Sequence, residues 1–226
     1  MNDTTAYTLF QRLLIGSYSL GIYMIKFVFP YIMSPLYPYP AILPVDVYIG
    51  SISIFIIGAF LWIGYKKDWR PYVFGILFFL VNVVFVLQVV GAGQGFLADR
   101  FTYIPYAGLM FIVAYAIDSL LKKGTPSGKY ALYGVGAMLV VYLFLTVQQT
   151  KIWKDSDRLW THVLKYHHDT PLPYRNRANF RRDEGRIEEA LTDYNSAISL
   201  KPDGALYNSR AKLYFNLQKY DQAMVD

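Results

Sequence analysis

The sequence of 226 residues contains no cysteine, and only 17% of its residues are charged. Without cysteine, the chain can form neither a disulfide framework nor a thiolate metal site. Charge is scarcest in residues 1–150, which hold nine Lys or Arg and five Asp or Glu, whereas the last 76 residues hold thirteen and eleven. This scarcity excludes an ordinary soluble domain for the first part. It predicts a membrane domain and a water-soluble domain that join near Thr150.

Apolar residues make up 54% of the chain, and in the first part they gather into five long stretches. A helix needs about 20 mostly apolar residues to cross a bilayer, where no water can satisfy the backbone. We predict spans at residues 9–33, 47–65, 72–90, 103–121 and 130–149. The predicted fold class is all-α, with polytopic membrane helices followed by helical hairpins.

The positions of Lys and Arg predict the orientation in the membrane, because cytoplasmic loops carry an excess of both. One side of the predicted spans carries Arg12, Lys66, Lys67, Arg70, Lys122, Lys123 and Lys129. The other side carries only Lys26 and Arg100. We therefore expect an integral membrane protein with a cytoplasmic N-terminus and its C-terminal part on the exterior (periplasmic or lumenal) side. The net charge of +6 is mostly this topology signal, so no nucleic-acid partner is expected.

The last part of the chain repeats itself with a spacing of 33 residues. Tyr174, Ala178 and Ala190 are followed by Tyr207, Ala211 and Ala223. This spacing is close to the 34-residue period of tetratricopeptide repeats, which are pairs of helices. The predicted organisation is a membrane domain at 1–150, a linking amphipathic helix at 151–170, and repeats at 171–226. The second repeat stops at Asp226 inside its second helix, so we expect a truncated array.

Tetratricopeptide arrays bind peptides or partner proteins in a concave groove. The candidate groove residues are Tyr174, Arg177, Arg181, Tyr207 and Arg210. The arginines of the first repeat, which also include Arg175 and Arg182, allow two interpretations that stay open here. They form either a cationic groove for an acidic segment or a solvated face that neighbouring glutamates balance. His167 and His168 are adjacent and have no third ligand nearby in the sequence, so no metal site is expected.

Two exterior cations stand apart from the topology pattern. Lys26 lies in the outer third of the first predicted span, where an ammonium is costly unless it snorkels outward or meets an anion. Arg100 follows Asp99 in the stretch ADRFTYIPYAGL, residues 98–109. Either the adjacent acid simply neutralises Arg100, or its guanidinium binds the phosphate of a lipid-linked substrate that Tyr103 and Tyr106 flank.

The stretch ADRFTYIPYAGL resembles the signature of the transmembrane and tetratricopeptide-repeat O-mannosyltransferase family and its bacterial membrane-protein relatives. The runs KFVFPYIMSPLYPYP and IWKDSDRLWTHVLKY are also similar to that family. The motif carries over to Asp99, Arg100, Tyr103 and Pro105, whereas Tyr106 stands where the family usually has a small residue. We interpret Pro105 and Gly108 as the entry of the loop into the next helix.

The resemblance implies a type C glycosyltransferase fold that transfers a sugar from a polyprenyl- or dolichyl-phosphate donor to Ser or Thr of exterior proteins. It places Arg100 at the donor phosphate and gives the repeats the acceptor protein. Lys26 is a second candidate for the donor phosphate, and no cofactor is expected. The catalytic carboxylate is expected upstream of Met1, so this chain by itself is expected to be inactive. The alternative is a non-enzymatic membrane-anchored scaffold, against which Lys26, Asn82 and Gln88 argue, because a plain anchor needs no polar residues in its spans.

Overall fold

The computed structural model describes residues 7–39, 43–87, 95–124 and 126–226. Helices dominate these residues, which confirms the prediction of a mostly helical chain, and one short two-stranded sheet accompanies them. Contacts divide the chain into two compact units, Met1–Phe144 and Leu145–Asp226. Gln88 and the end of the third predicted span at residue 90 lie outside the described residues.

The first unit consists of apolar helices and a small sheet. Its helices are α1 (Leu9–Val28), α2 (Val45–Gly50), α3 (Ser53–Lys66), α4 (Arg70–Val83), α5 (Pro105–Lys122) and α6 (Pro126–Ile152), the last of which continues into the second unit. Its strands are β1 (Tyr37–Pro38) and β2 (Gly95–Leu97), which pair antiparallel with Tyr37 opposite Leu97.

Within the described residues, three helical segments are long and apolar enough to cross a membrane: Val45–Lys66, Pro105–Lys122 and Pro126–Ile152. They coincide with the second, fourth and fifth predicted spans. Arg70–Val86 is a shorter apolar segment at the place of the third. Helix α1 has 20 residues and begins at Leu9 as predicted, but it ends at Val28 instead of residue 33. The total of five spans stays a prediction.

Helices α4 and α5 approach each other closely at two glycines. A Cβ at Gly75 would lie 2.7 Å from the carbonyl oxygen of Gly108, and a Cβ at Gly108 would lie 2.5 Å from the carbonyl oxygen of Gly75. Any side chain at either position would force the two backbones apart. Helix α5 does begin at Pro105, as the interpretation of a helix entry requires, but Gly108 packs against α4 instead of forming part of the entry.

The core of the first unit lies between α1, α4 and β2. Tyr23, Phe79, Val83 and Leu97 are buried there together. By contrast, none of the most apolar part of α6 is buried within the protein. A helix with this composition and exposure is suited to contact with lipid.

The second unit is a series of antiparallel helices. They are α7 (Ser156–Tyr166), α8 (Pro171–Asp183), α9 (Ile187–Leu200), α10 (Gly204–Asn216) and α11 (Tyr220–Val225). Helix α8 packs against α7 and α9, and α10 packs against α9 and α11. Small residues permit the close packing, since Ala178 of α8 and Ala190 of α9 are both fully buried beside Tyr194.

The turns between paired helices recur at the spacing seen in the sequence. Gly185 lies between α8 and α9 with φ +75°, and Gln218, 33 positions later, lies between α10 and α11 with φ +60°. Glycine adopts this left-handed conformation without steric cost, whereas a side chain does not. The helix pairs thus follow the predicted period, while their assignment as tetratricopeptide repeats stays a prediction.

Candidate functional site

Lys26 and Asp99, which are 73 positions apart in the chain, form a buried ion pair in the first unit. Lys26 lies in the last turn of α1, and Asp99 opens a 3-10 turn, Asp99–Thr102, directly after β2. The ammonium nitrogen of Lys26 lies 2.9 Å from Oδ1 and 3.2 Å from Oδ2 of Asp99. Their side chains are only 3% and 10% exposed, so each charge depends on the other for compensation.

The loop between α1 and β1 completes the surroundings of this pair. Asp99 also accepts hydrogen bonds from the backbone N–H of Ser34 at 2.6 Å and from the hydroxyl of Tyr37 at 2.9 Å. Lys26 also donates to the hydroxyl of Tyr37 and to the carbonyl oxygen of Ile32, the latter at 3.2 Å. Burial, together with the nearby carboxylate of Asp99, raises the pKa of Tyr37. Tyr37 therefore stays neutral and can act as a donor.

The sheet and the tyrosines of the first unit hold Asp99 in place. Pairing of β1 with β2 brings the loop that carries Ser34 and Tyr37 beside Asp99. The hydroxyl of Tyr23 lies 3.2 Å from both the backbone nitrogen and the carbonyl oxygen of Ala98. The hydroxyl of Tyr106 in turn donates to the carbonyl oxygen of Tyr23 at 2.8 Å.

The structure distinguishes between the two alternatives for Lys26, while its contact with a donor phosphate stays a prediction. Its ammonium neither snorkels outward nor reaches the surface, because it is bound to Asp99 inside the fold. The anion that Lys26 meets is therefore an internal carboxylate. Direct contact between Lys26 and a donor phosphate would require this pair to open.

Arg100 contacts the loop between α1 and β1 and the ring of Phe101. Its Nη1 donates to the carbonyl oxygen of Pro35 at 3.0 Å, and its guanidinium lies 5.1 Å from the centre of the Phe101 ring. Arg100 is exposed, and within the described ranges it forms no ion pair with a carboxylate. The interpretation that Asp99 neutralises Arg100 is wrong, because Lys26 already occupies that carboxylate.

The tyrosines of the motif differ in exposure. Tyr103 is 81% exposed and lies just before Pro105, the first residue of α5. Tyr106 instead packs edge-on against Phe27, with 5.2 Å between ring centres. Tyr103 is therefore available to a ligand beside Arg100, whereas Tyr106 supports the fold. Among the residues that the structure describes, no group of three or more His, Asp or Glu could hold a metal ion.

In the second unit, the predicted groove arginines take part in an internal ion-pair network. Asp193 of α9 accepts hydrogen bonds from Arg177 at 2.7 Å and 2.9 Å and from Arg181 at 3.1 Å. Arg181 also binds Asp157 of α7 at 2.7 Å, and Arg177 binds Thr161 of α7 at 3.0 Å. These contacts join α7, α8 and α9. They leave Arg177 and Arg181 neutralised within the fold mainly by aspartates, and Glu189, one of the neighbouring glutamates of the second interpretation, also lies 3.5 Å from Arg181.

One ion pair of this network recurs one repeat later. Arg210 binds Asp226 through both Nε and Nη2, with 2.7 Å between Nε and Oδ2, just as Arg177 binds Asp193. Tyr174 and Tyr207, the aromatic members of the predicted groove, pack against the apolar cluster formed by Ala197, Ile198 and Leu206. Sequence reasoning missed Asp193 and Asp226, although their spacing of 33 residues matches the repeat and could have identified them.

The network lowers the pKa of one of its acids. Burial of Asp157 raises its pKa, but hydrogen bonds and charge from Arg181 and Arg186 outweigh burial, so the pKa is lowered overall. Arg186 lies 3.1 Å from Asp157. The carboxylate of Asp157 is thus held ionised by two arginines, which ties α7 to the helix pair that follows.

Comparisons with known proteins find relatives named O-mannosyl-transferases. The chain is 26% identical over 129 residues to protein O-mannosyl-transferase Tmtc3 of Drosophila melanogaster, covering 56% of this chain and 14% of that protein. It is 29% identical over 107 residues to protein O-mannosyl-transferase TMTC1 of Mus musculus, covering 46% and 11%. It is 32% identical over 108 residues to the Homo sapiens TMTC1, covering 46% and 12%.

The chain thus spans 11–14% of the length of the curated relatives that it matches. No protein-family model matches the chain, and no solved structure matches it. The resemblance to the O-mannosyltransferase family is supported for about half of the chain, and its bacterial part stays a prediction.

Proposed function

We propose that the chain forms part of a membrane glycosyltransferase that moves a sugar from a polyprenyl- or dolichyl-phosphate donor to Ser or Thr of exterior proteins. The names of the matched relatives support the reaction class, and the long apolar helices support the membrane location. The distribution of Lys and Arg supports an arrangement in which Arg100 and the C-terminal repeats lie on the exterior side.

One observation carries this proposal to a specific residue: Asp99 is bound to Lys26, which leaves the exposed guanidinium of Arg100 without a carboxylate partner in the described part of the chain. Among the residues that the structure describes, only Nη1 has a hydrogen-bond acceptor, the carbonyl oxygen of Pro35. The remaining N–H groups are free to bind two oxygens of one phosphate, which is the geometry that guanidinium favours. Tyr103 would flank the lipid or sugar.

Arg100 would act on the leaving group of the transfer. The oxygen of the acceptor hydroxyl bonds to the anomeric carbon of the sugar, the bond from that carbon to the phosphate oxygen breaks, and the lipid phosphate leaves with the electron pair. A fixed cation at that oxygen stabilises the developing negative charge. The hydroxyl proton needs a carboxylate base, and we propose that the base comes from a part of the complete enzyme outside this chain.

The second unit would hold the acceptor protein. We propose that α8 to α11 are tetratricopeptide repeats, on the strength of their 33-residue spacing, their buried alanines and their left-handed turns. Lys26 would serve the donor site indirectly, because its bond to Asp99 holds the loop from which Arg100 projects.

The donor site can be tested by binding of a radiolabelled polyprenyl-phosphate sugar to the purified chain in detergent, and in parallel by sugar transfer in membranes that carry the complete enzyme. We expect Arg100→Ala to abolish measurable donor binding and to lower transfer by about 100-fold or more, the usual effect of removing one group that stabilises an oxyanion. Arg100→Lys should restore part of the binding, because it returns the charge without the fork of donors.

The matched control is Arg70→Ala, which removes an exposed arginine on the proposed cytoplasmic side, where Arg70 binds Asp68 at 2.6 Å. Its donor binding should equal that of the unaltered protein. If Arg100→Ala inserts, melts and binds donor as the unaltered protein does, Arg100 is not at the donor site. If no form transfers sugar or binds donor, the non-enzymatic scaffold replaces the enzyme as the explanation.

A further inference from the structure

Helix α8 carries polar side chains on two different faces. Arg177 and Arg181 belong to the face that Asp157 and Asp193 neutralise. Arg175, Asn179 and Arg182 follow one another at spacings of four and three residues, which places them together on another face of the helix. The cationic-groove interpretation of the sequence included Arg175 and Arg182 of this second face, but it did not include Asn179.

Tyr194 of α9 forms hydrogen bonds with two residues of this second face, Asn179 and Arg182. Its ring is fully buried, and its hydroxyl donates to Oδ1 of Asn179 at 2.7 Å while accepting from Nη1 of Arg182 at 3.2 Å. Burial raises the pKa of Tyr194, so the hydroxyl keeps its proton. The side-chain oxygen of Asn179 therefore already accepts a hydrogen bond from Tyr194. The two N–H donors of the Asn179 amide remain to bind a ligand. Arg182 is partly neutralised by the exposed Asp183 at 2.8 Å.

Helix α10, which packs against α9 and also touches α8, extends the face by one repeat. Asn208 lies 33 positions after Arg175, and Lys212 lies 33 positions after Asn179. The repeat position that has a cation in α8 therefore has an amide in α10, and the position that has an amide in α8 has a cation in α10. Asn208 and Lys212 are exposed. Neither Arg175 nor Lys212 forms an ion pair within the part of the chain that the structure describes. These side chains together present hydrogen-bond donors that can bind a ligand.

We infer that the face formed by Arg175, Asn179, Asn208 and Lys212 binds an extended acidic segment of a partner protein. Cations and side-chain amides supply the donors that carboxylates and backbone carbonyls require. The inference names the partner class for the repeats, and to that extent it rests on the proposed function. Packed helices lie about 8–10 Å apart, which an extended peptide spans in about three residues. The segment should therefore carry acids about three residues apart.

The test measures binding of a fluorescein-labelled peptide with glutamate at every third position to the full chain in detergent, by fluorescence anisotropy. The comparison peptide has glutamine at those positions. We expect the glutamate peptide alone to bind, with an affinity that falls as salt rises. Arg175→Gln and Lys212→Gln should each weaken binding about tenfold, the usual effect of losing a hydrogen bond to a charged group.

The control variant is Lys219→Gln, which removes an exposed lysine from the turn between α10 and α11 and should leave the affinity unchanged. Equal binding of the glutamine peptide, or unchanged affinity in both Arg175→Gln and Lys212→Gln, overturns the inference. The inference is also overturned if the chain self-associates and these two variants abolish the self-association. In that case a second copy of the chain would bind this face. Sugar transfer is not measured, so this test and that of Arg100 can fail separately.

Discussion

The ion pair between Lys26 and Asp99 should be the single interaction whose loss destabilises the first unit most. Asp99→Asn removes the counter-charge but leaves the ammonium of Lys26 in place, where the side chain is 3% exposed. Breaking a buried pair in this way costs about 3–5 kcal/mol. At about 2–4 °C per kcal/mol for a protein of this size, we expect Tm to fall by about 10 °C, measured by intrinsic fluorescence in detergent.

The two partners should respond unequally. Lys26→Met leaves a carboxylate that still accepts from the backbone N–H of Ser34 and the hydroxyl of Tyr37, at 2.6 Å and 2.9 Å, so its cost should be smaller. The double variant Lys26→Met with Asp99→Asn has no buried charge left. Because replacing a whole buried pair is often nearly neutral, the double variant should be more stable than Asp99→Asn alone. The coupling energy should be about 2 kcal/mol or more.

The chain provides a matched control in Lys122 and Asp118, which form the same kind of pair at 2.6 Å but are 75% and 52% exposed. Asp118→Asn should leave Tm unchanged, because exposed pairs contribute little. The reasoning is refuted if Asp99→Asn has the same Tm as Asp118→Asn. It is also refuted if the stability changes of Lys26→Met and Asp99→Asn add up to that of the double variant.

Three further predictions concern the second unit, measured by urea or thermal unfolding. Asp193→Asn leaves the partly buried Arg177 without its carboxylate and removes one carboxylate from Arg181, which keeps Asp157, so it should cost about 3 kcal/mol, whereas the exposed Glu188→Gln should have no effect; equal effects would contradict this. Gln218→Gly relieves a left-handed conformation and should stabilise by about 1 kcal/mol, while Gly185→Ala should destabilise; a lower Tm for Gln218→Gly would rule out strain. Asp157 has a lowered pKa in the folded state, so its contribution is present above the unfolded value of about 4 and is lost as pH falls through the folded value. The stability difference from Asp157→Asn should therefore disappear in acid, and a difference that persists there would exclude the charge as its cause.

Much of the helical structure could be predicted, because helix signals are local. The apolar run at 130–149 lies inside α6, and proline in the first turn set the start of α5 close to the predicted position. The predicted first span at residues 9–33 extends too far, because it runs past Pro30. A residue before a proline disfavours the helical conformation, and Phe29 is indeed the C-cap residue that follows the last helical residue, Val28.

The candidate site could be predicted only in part. The motif at 98–109 identified Asp99 and Arg100 as unusual, but adjacency in sequence suggested the wrong partner. The true partner of Asp99 is 73 positions away, and no local pattern relates two single charges across that distance. By contrast, Asp193, the acid that pairs with Arg177, could have been predicted from the sequence. Asp193 and Asp226 have the same 33-residue spacing as the residues that reveal the repeat.

Charge compensation, more than motif membership, indicates where an anion can bind. Lys26 and Arg177 were chosen from pattern, yet carboxylates at 2.9 Å and 2.7 Å already cancel most of their field. Opening either pair would cost more than a surface contact with a new anion returns. Arg100, Arg175 and Lys212 carry no such cost, since they form no ion pair in the described residues. The donor phosphate and the acidic partner segment should therefore be sought at these three cations, one in the first unit and two in the second.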